Sequence, residues 1–491
     1  MKVPISSVFM AIVLGLSLVG CQQKSEDLPN IILLLADDLG YNDLSFYRAT
    51  LGVQSGDSPS CQTPFIDKLA QEGIYFTDFY SGAAVCSPSR AALLTGRNKT
   101  RLGIYNWIPQ GVPMHLASEE ITLAELLKQR DYATGHFGKW HLTSGNMPQP
   151  EPLDQGFDYA FWTHNNAIPS HENPENFIRN RNEVGELKGY SSHLVVAEAI
   201  QWLDAHKKDK NPFYINLWFH EPHQKEAAPD SLKIKHSRNS SYYGCIENMD
   251  YAVGKLLKYL SDQSLMDNTL ILFSSDNGSI YKGSNDPLRG KKAFQYDGGI
   301  RVPFIAYWKG KIPPGTSSSA VGHFTDVLPT IAGITQIETS NERIIDGEDL
   351  SEILLGSAKD YSRKSPIFFY RYFHDPICML RQGDMILLGY QNKPKPRQLN
   401  YNTQVEALFK PEEGDPKWSQ WSFRESHMEA IKLQEPKYFE LYNIRRDIGE
   451  YIDLAADRPE LLESLKQTML NTRMEMLHEG GDWYEYALPI N

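Results

Sequence analysis

Four stretches of the chain, residues 30–36, 213–219, 269–275 and 302–308, are short, almost continuously apolar and bounded by turn formers. Runs of this length that do not alternate fit strands buried on both faces of a parallel sheet. Between them the apolar spacing turns helical. Thr63 and Pro64 supply an N-cap and a first-turn proline for a helix that reaches Glu72 and stops at Gly73. Ser118 is expected to cap a second helix whose apolar face carries Leu123, Leu126 and Leu127. Buried strands alternating with helices predict an α/β domain, a large and mostly parallel central sheet flanked by helices, over residues 29–356.

Beyond Gly356 the texture changes. Residues 366–373 and 378–388 read as half-exposed strands, residues 392–420 as a loop rich in Lys, Pro and Glu, and a helix follows from Pro459 to about Leu477. Residues 357–491 are therefore expected to form a smaller α+β subdomain, an antiparallel sheet plus a helix, packed on the first domain. No internal repeat of fixed period is visible.

The N-terminus has a different pattern again. Lys2 precedes an apolar run over residues 8–19 that ends in Leu18-Val19-Gly20-Cys21. This fits a lipoprotein signal peptide over residues 1–20, cleaved before Cys21, with lipid on that cysteine and a polar tether over residues 21–28. The run is shorter than the roughly 20 apolar residues that span a bilayer. The expectation is an exported protein, held by its lipid on a membrane, in the periplasm or at the cell surface.

Charge and cysteine content narrow the classes. Acids outnumber bases 61 to 49, a net charge of −12, which excludes a general nucleic-acid binder, since such proteins carry surplus Lys and Arg. Five cysteines make no dense disulfide framework. With Cys21 assigned to lipid and Cys86 to chemistry, Cys61, Cys245 and Cys378 remain; an odd number leaves at least one unpaired, and no pair is expected.

The chemistry is suggested by where polar residues fall relative to the buried runs. Asp37-Asp38 follow the first, His220 ends the second and Asp276-Asn277 end the third. Ligands of open α/β sheets bind beyond the carboxyl ends of the strands, so these distant residues are placed to converge. Their donors are all oxygen apart from the histidine, which suits Ca²⁺ or Mg²⁺ better than zinc. Each acid taken alone could equally cap the following helix or turn. Cys86 precedes Pro88 and an apolar helical face, which puts its side chain at a helix N-terminus, where backbone N–H groups favour an anion. A cysteine in isolation is more often a small core residue.

Cys86-x-Pro88-Ser89-Arg90, completed by Leu94-Thr95-Gly96-Arg97, resembles the signature of the sulfatase family. Further resemblance covers Gly138-Lys139-Trp140-His141-Leu142, His220-Glu221-Pro222-His223, Ser275-Asp276-Asn277-Gly278, Leu288-Arg289-Gly290 through Gly299, and Glu440-Leu441-Tyr442-Asn443, in the family's order. The flavour is that of arylsulfatases, N-acetylgalactosamine-6-sulfatases and bacterial polysaccharide sulfatases. The resemblance implies an alkaline-phosphatase-like fold and a nucleophile made by oxidising Cys86 to formylglycine, which needs a formylglycine-generating maturation enzyme. It implies one Ca²⁺ held by Asp37, Asp38, Asp276, Asn277 and the residue derived from Cys86. Arg90 and Lys139 would hold the hydrated aldehyde, and Lys292 and His220 would contact the sulfate. Lys291 and His223 are the alternatives to these last two.

The implied reaction begins when one hydroxyl of the hydrate attacks sulfur and His220 protonates the departing alcohol. His141 then takes a proton from the second hydroxyl, and sulfate leaves. Two lysines, an arginine and a divalent cation suit an anionic ester, and a histidine near neutral pKa suits the proton transfer. The implied substrate is a sulfated glycan, algal such as ulvan or carrageenan, or a glycosaminoglycan. Two other readings are a phosphodiesterase or phosphonate monoester hydrolase of the same superfamily, and a silent lipoprotein that binds sulfated glycans. Specificity is expected from Tyr41 to Tyr47, Trp107, residues 162–175 and residues 371–374, where aromatics could stack on sugar rings. His136 is a lesser candidate, read chiefly as a packed residue.

Overall fold

The computed structural model describes residues 28–51, 61–145, 147–207, 209–339, 343–358, 360–372, 377–394 and 425–483. The expected signal peptide, Cys21, nearly all of its tether and most of the 392–420 loop lie outside the described residues, as does His374. Among the described residues no helix is long and apolar enough to cross a membrane.

In chain order the strands are β1 (Asn30–Asp37), β2 (Ile74–Phe76), β3 (Phe79–Tyr80), β4 (Ala133–Lys139), β5 (Tyr159–Thr163), β6 (Ile178–Arg179), β7 (Asn182–Glu183) and β8 (Phe213–Pro222). They continue with β9 (Thr269–Ser275), β10 (Phe304–Tyr307), β11 (Thr316–Ser318), β12 (Gly322–His323), β13 (Ile367–Arg371), β14 (Ile377–Gln382), β15 (Met385–Tyr390) and β16 (Tyr438–Asn443). Ten of them form one mixed sheet in the order β11-β2-β10-β9-β1-β8-β4-β5-β6-β7. Its centre, β9-β1-β8-β4-β5, is wholly parallel, and the antiparallel pairs are confined to its flanks.

The central strand shows why the apolar runs do not alternate. Ile31, Leu33 and Leu35 of β1 point into one core, with Leu93 and Leu94 of the helix Cys86–Thr95 and Ile331 of the helix Val327–Thr335. Ile32 and Leu34 point into a second core, with Val195 of the helix Ser191–His206 and Ile246 and Val253 of the helix Ser240–Asp262. A strand covered by helices on both faces has no solvent side, so both sets of alternate residues must be apolar.

The helix Pro64–Glu72 lies where expected, with Pro64 in its first turn. The helix expected from Ser118 instead covers Leu123–Lys128, capped by Thr122. The reason is local: Thr122 and Glu125 form a reciprocal capping box, whereas the residue three beyond Ser118 is Ile121, which has no side-chain acceptor. The run 378–388 is two strands, β14 and β15, joined through Gly383 at φ +59°. Nor are β13, β14 and β15 half-exposed. Ile367, Phe369, Met379 and Leu388 face the Cys86 side of the molecule, while Phe368, Leu380 and Leu387 face Leu465 and Met469 of the helix Pro459–Glu479. This four-stranded antiparallel sheet, β13-β14-β15-β16, is thus sandwiched between the large domain and its own helix.

A buried ionic cluster fastens the two sheets. Asp78, next to β3, accepts from Arg381 of β14 at 2.8 Å and lies 3.4 Å from Arg301, which also pairs with Asp297 at 3.1 Å. Burial works against the Asp78 carboxylate, but Arg301 and Arg381 outweigh it and hold its pKa below the ordinary value. A depressed folded-state pKa gives stability that is present above the ordinary carboxylate range and lost as pH falls below it. Asp78→Ala is expected to cost about 3 kcal/mol at neutral pH, because it strands buried guanidinium groups, and the urea midpoint of the variant measures it.

Candidate active site

The site lies at the carboxyl ends of the parallel strands. β1 delivers Asp37 and Asp38, and the segment after β9 delivers Asp276 and Asn277. β4 ends on Lys139, with His141 two residues on, and β8 carries His220 and leads to His223. Asp38 and His141 have φ of +64° and +58°, left-handed values that turn the chain sharply at the strand ends. Gly138 lets β4 come close enough: a Cβ there would stand 1.8 Å from the Trp218 carbonyl oxygen of β8.

Cys86 opens its helix, fully buried, and its Sγ is 3.7 Å from Asp37 Oδ1 and 3.2 Å from Lys292 Nζ. Lys292 Nζ also donates to both oxygens of Asp38, at 2.6 and 2.8 Å. Lys139 Nζ donates to Asp37 Oδ2 at 2.7 Å. Arg90, one helical turn after Cys86, donates through Nε and Nη2 to Asp276 Oδ2 at 3.0 and 2.8 Å, and through Nη1 to the Lys139 carbonyl. Asn277 Nδ2 donates to Asp38 Oδ1 at 2.7 Å. Three carboxylates therefore interlock with three fixed cations around one buried sulfur. Lys291, by contrast, reaches the carbonyls of Tyr281 and Gly283 and stays out of this cluster.

The electrostatics follow from this packing. Burial would raise the Asp37 carboxyl, but Lys139, His223 and Arg90 overcome it and hold its pKa well below the ordinary value. Asp276 goes the other way: burial and the neighbouring Asp37 push it up to about 7 despite Arg90. Crowded buried carboxylates of this kind call for more positive charge. Asn277 Oδ1 is buried with no hydrogen-bond partner among the described residues, a carbonyl oxygen left for a cation. One donor atom each of Asp37, Asp38, Cys86 and His223 lies within 4.8 Å of the others. The oxygens of Asp37, Asp38 and Asn277 thus fit a hard divalent cation.

Residues 29–337 match the Sulfatase family. The chain is 33% identical over 386 residues to the N-acetylgalactosamine-6-sulfatase of Canis lupus familiaris, covering 73% of this chain and 70% of that one. It is 32% identical over 479 residues to the arylsulfatase A of Homo sapiens, covering 90% and 87%. The chain belongs to the sulfatase family. Like its relatives it is a sulfuric ester hydrolase. Its fold is similar to that of Ps i-CgsB in complex with k-i-k-neocarrahexaose, with a TM-score of 0.73 and 26% identity over 94% of this chain and 98% of that one.

The sulfatase's histidines depart from the near-neutral expectation. His220 is held well below the usual histidine pKa by burial, then by His171 and Lys139; His141 is held well below it by burial, Lys139 and Arg90. His220 Nε2 meets Thr163 Oγ1 at 2.7 Å, and that hydroxyl already donates to the Asn165 carbonyl at 2.6 Å. Nε2 is therefore the protonated nitrogen, and Nδ1 is an acceptor with no partner among the described residues. His141 Nε2 is fixed the same way by the Ile108 carbonyl at 3.1 Å. His223 is partly exposed, with its Nε2 3.6 Å from Asp38 Oδ2. It is the histidine beside Asp38, and the sequence signal for it is its place in the block His220-Glu221-Pro222-His223.

The specificity candidates divide. Tyr41, Tyr47 and Trp162 are core residues, the two tyrosines held by hydrogen bonds to backbone carbonyls, so they cannot stack on a sugar. Arg371 is buried against the segment that carries Lys292. His136 is enclosed by the rings of Trp140, Phe157 and Trp218, a packing residue as read from the sequence. The four described cysteines, Cys61, Cys86, Cys245 and Cys378, are buried and unpaired.

Proposed function

We propose that this sulfatase removes sulfate from a sulfated oligosaccharide or polysaccharide through a formylglycine made from Cys86, beside a calcium ion held by Asp37, Asp38, Asp276 and Asn277. The observation that carries the reading is a buried sulfur at a helix N-terminus that Lys292 meets directly, with Lys139 and Arg90 holding the Asp37 and Asp276 carboxylates of the same cluster. As a plain thiol Cys86 suits nucleophilic work poorly, because burial pushes its pKa up to about 12. A hydrated formylglycine supplies two hydroxyls, one to attack sulfur and one whose proton is lost as sulfate departs. The cation, when bound, offsets negative charge on the reacting oxygens.

The remaining steps belong to the chain's own groups. Lys292 and Lys139 face the anionic sulfuryl oxygens, and Arg90 fixes Asp276 and the Lys139 backbone so that these charges need not reorganise. His220 Nδ1 and His141 Nδ1, acceptors with no hydrogen-bond partner among the described residues, are suited to receive protons, and the negative charge of a bound ester favours protonation of His220 for donation to the leaving alcohol. A glycan substrate is supported by the oligosaccharide bound in Ps i-CgsB and by the amino sugar in the name of the dog enzyme.

The test is sulfate release from a panel of sulfated oligosaccharides by protein co-expressed with a formylglycine-generating enzyme, with peptide mass reporting the state of Cys86. Conversion with release from at least one glycan is expected. Full release from protein whose Cys86 is unmodified, or cleavage of phosphate esters in its place, overturns the proposal. Chelation is expected to abolish release and lower Tm, and added Ca²⁺ to restore both, since a ligand of the folded state alone stabilises it by about 2.7 kcal/mol at 100 times its Kd. The proposal extends to export and lipidation at Cys21: Cys21→Ala should move the protein from the membrane fraction to the soluble one.

A further inference from the structure

Lys292 is held at its ammonium by Asp38 and Cys86, yet a side chain of that length finds its place only if its backbone is also fixed. Three contacts fix it. Lys292 N donates to the Ser279 carbonyl at 3.0 Å, and Ala293 N donates at 2.8 Å to the carbonyl of Ala84, two residues before Cys86. The carbonyl of Ala293 accepts at 2.9 Å from Nη1 of Arg371, which ends β13 in the small C-terminal sheet. Ala293 has a φ of +74°, a left-handed conformation disfavoured for any residue with a Cβ, which persists only where its surroundings impose it. The segment is also folded hard against Gly299, where a Cβ would stand 2.1 Å from the Phe294 oxygen and 2.5 Å from the Lys291 oxygen.

We infer that Arg371 is a positioning residue for the sulfatase reaction: from the C-terminal subdomain it holds the Ala293 carbonyl and so keeps the Lys292 ammonium on the reacting centre. Its guanidinium suits the task. It is planar, buried, and lies 5.3 Å from the Phe294 ring centroid, so one group bonds the carbonyl and packs on the neighbouring side chain. The Cys86 loop and the Lys292 segment are thereby referred to one frame through Ala84, Ala293 and Arg371. On this basis the C-terminal sheet acts in the chemistry without touching the substrate.

The inference rests on the reading that Lys292 meets the sulfate, and the experiment separates the two. Arg371→Met, Arg371→Lys and Lys292→Ala are compared in full-length protein with Cys86 conversion verified by peptide mass. Arg371→Met is expected to lower kcat by about 10- to 100-fold, with KM and Tm little changed, because displacements near 1 Å carry losses of that order. Arg371→Lys keeps one donor for the carbonyl and should recover much of the loss. An Arg371→Met protein with raised KM and unchanged kcat would make Arg371 a substrate contact and overturn the inference. So would a loss that follows the unfolded fraction, or full activity beside a dead Lys292→Ala. Full activity in Lys292→Ala would instead remove the reading on which the inference stands.

Discussion

Replacing Cys86 with alanine is expected to end sulfate release, by a factor on the order of 10⁴ or more, while the protein stays folded. The residue is buried, but alanine deletes only the atoms beyond Cβ from a cavity whose walls are tied together by Arg90, Lys139 and Lys292, so the stability change should stay near 1 kcal/mol. Cys86→Ser sharpens the result. Serine offers one hydroxyl and no second, so alcohol should appear to at most one equivalent per protein, without steady turnover. Burst kinetics with a chromogenic aryl sulfate measure both variants. Sustained turnover by the serine variant would sink the two-hydroxyl scheme and leave the fold assignment untouched.

The central sheet was legible because burial on both faces forces a sequence pattern that few other structures need: β1, β8 and β9 are continuous apolar runs that stop at polar residues. That same boundary marks the site, which is why Asp37, Asp38, Asp276 and Asn277 could be named before their contacts were known. What escaped depends on partners distant in sequence. β13 and β14 read as half-exposed because the helix Pro459–Glu479, which covers one face, contributes contacts that no local window contains. Tyr41 and Tyr47 read as surface aromatics until their hydroxyls are seen to reach the carbonyls of Thr77 and Phe76. The histidines escaped for an electrostatic reason. Residue type suggests a pKa near neutral, whereas burial beside Lys139 and Arg90 holds His141 and His220 well below it.

Lys292→Ala is the second substitution with a large expected effect, a fall in kcat/KM of about 10²- to 10³-fold, typical for loss of a preorganised charge at a developing anion. Burial opposes the charge on this amine, but Asp38, with Asp37 and Asp276 beyond it, more than compensates, so the pKa is raised and the group stays an ammonium across the working pH range. Its removal has a second consequence that a purely structural lysine would lack. Lys292 Nζ covers both oxygens of Asp38, which a divalent cation must share, so Lys292→Ala should bind Ca²⁺ at least as tightly as the parent while turning over far more slowly. Calorimetric titration of Ca²⁺ alongside the kinetic assay reads the two effects separately. Lys291→Ala is the control: its amine lies near the carbonyls of Tyr281 and Gly283, and its loss should change kcat/KM by less than about tenfold. An inactive Lys291→Ala beside an active Lys292→Ala would exchange the roles of the two lysines, and with them the path by which the C-terminal sheet is coupled to the site.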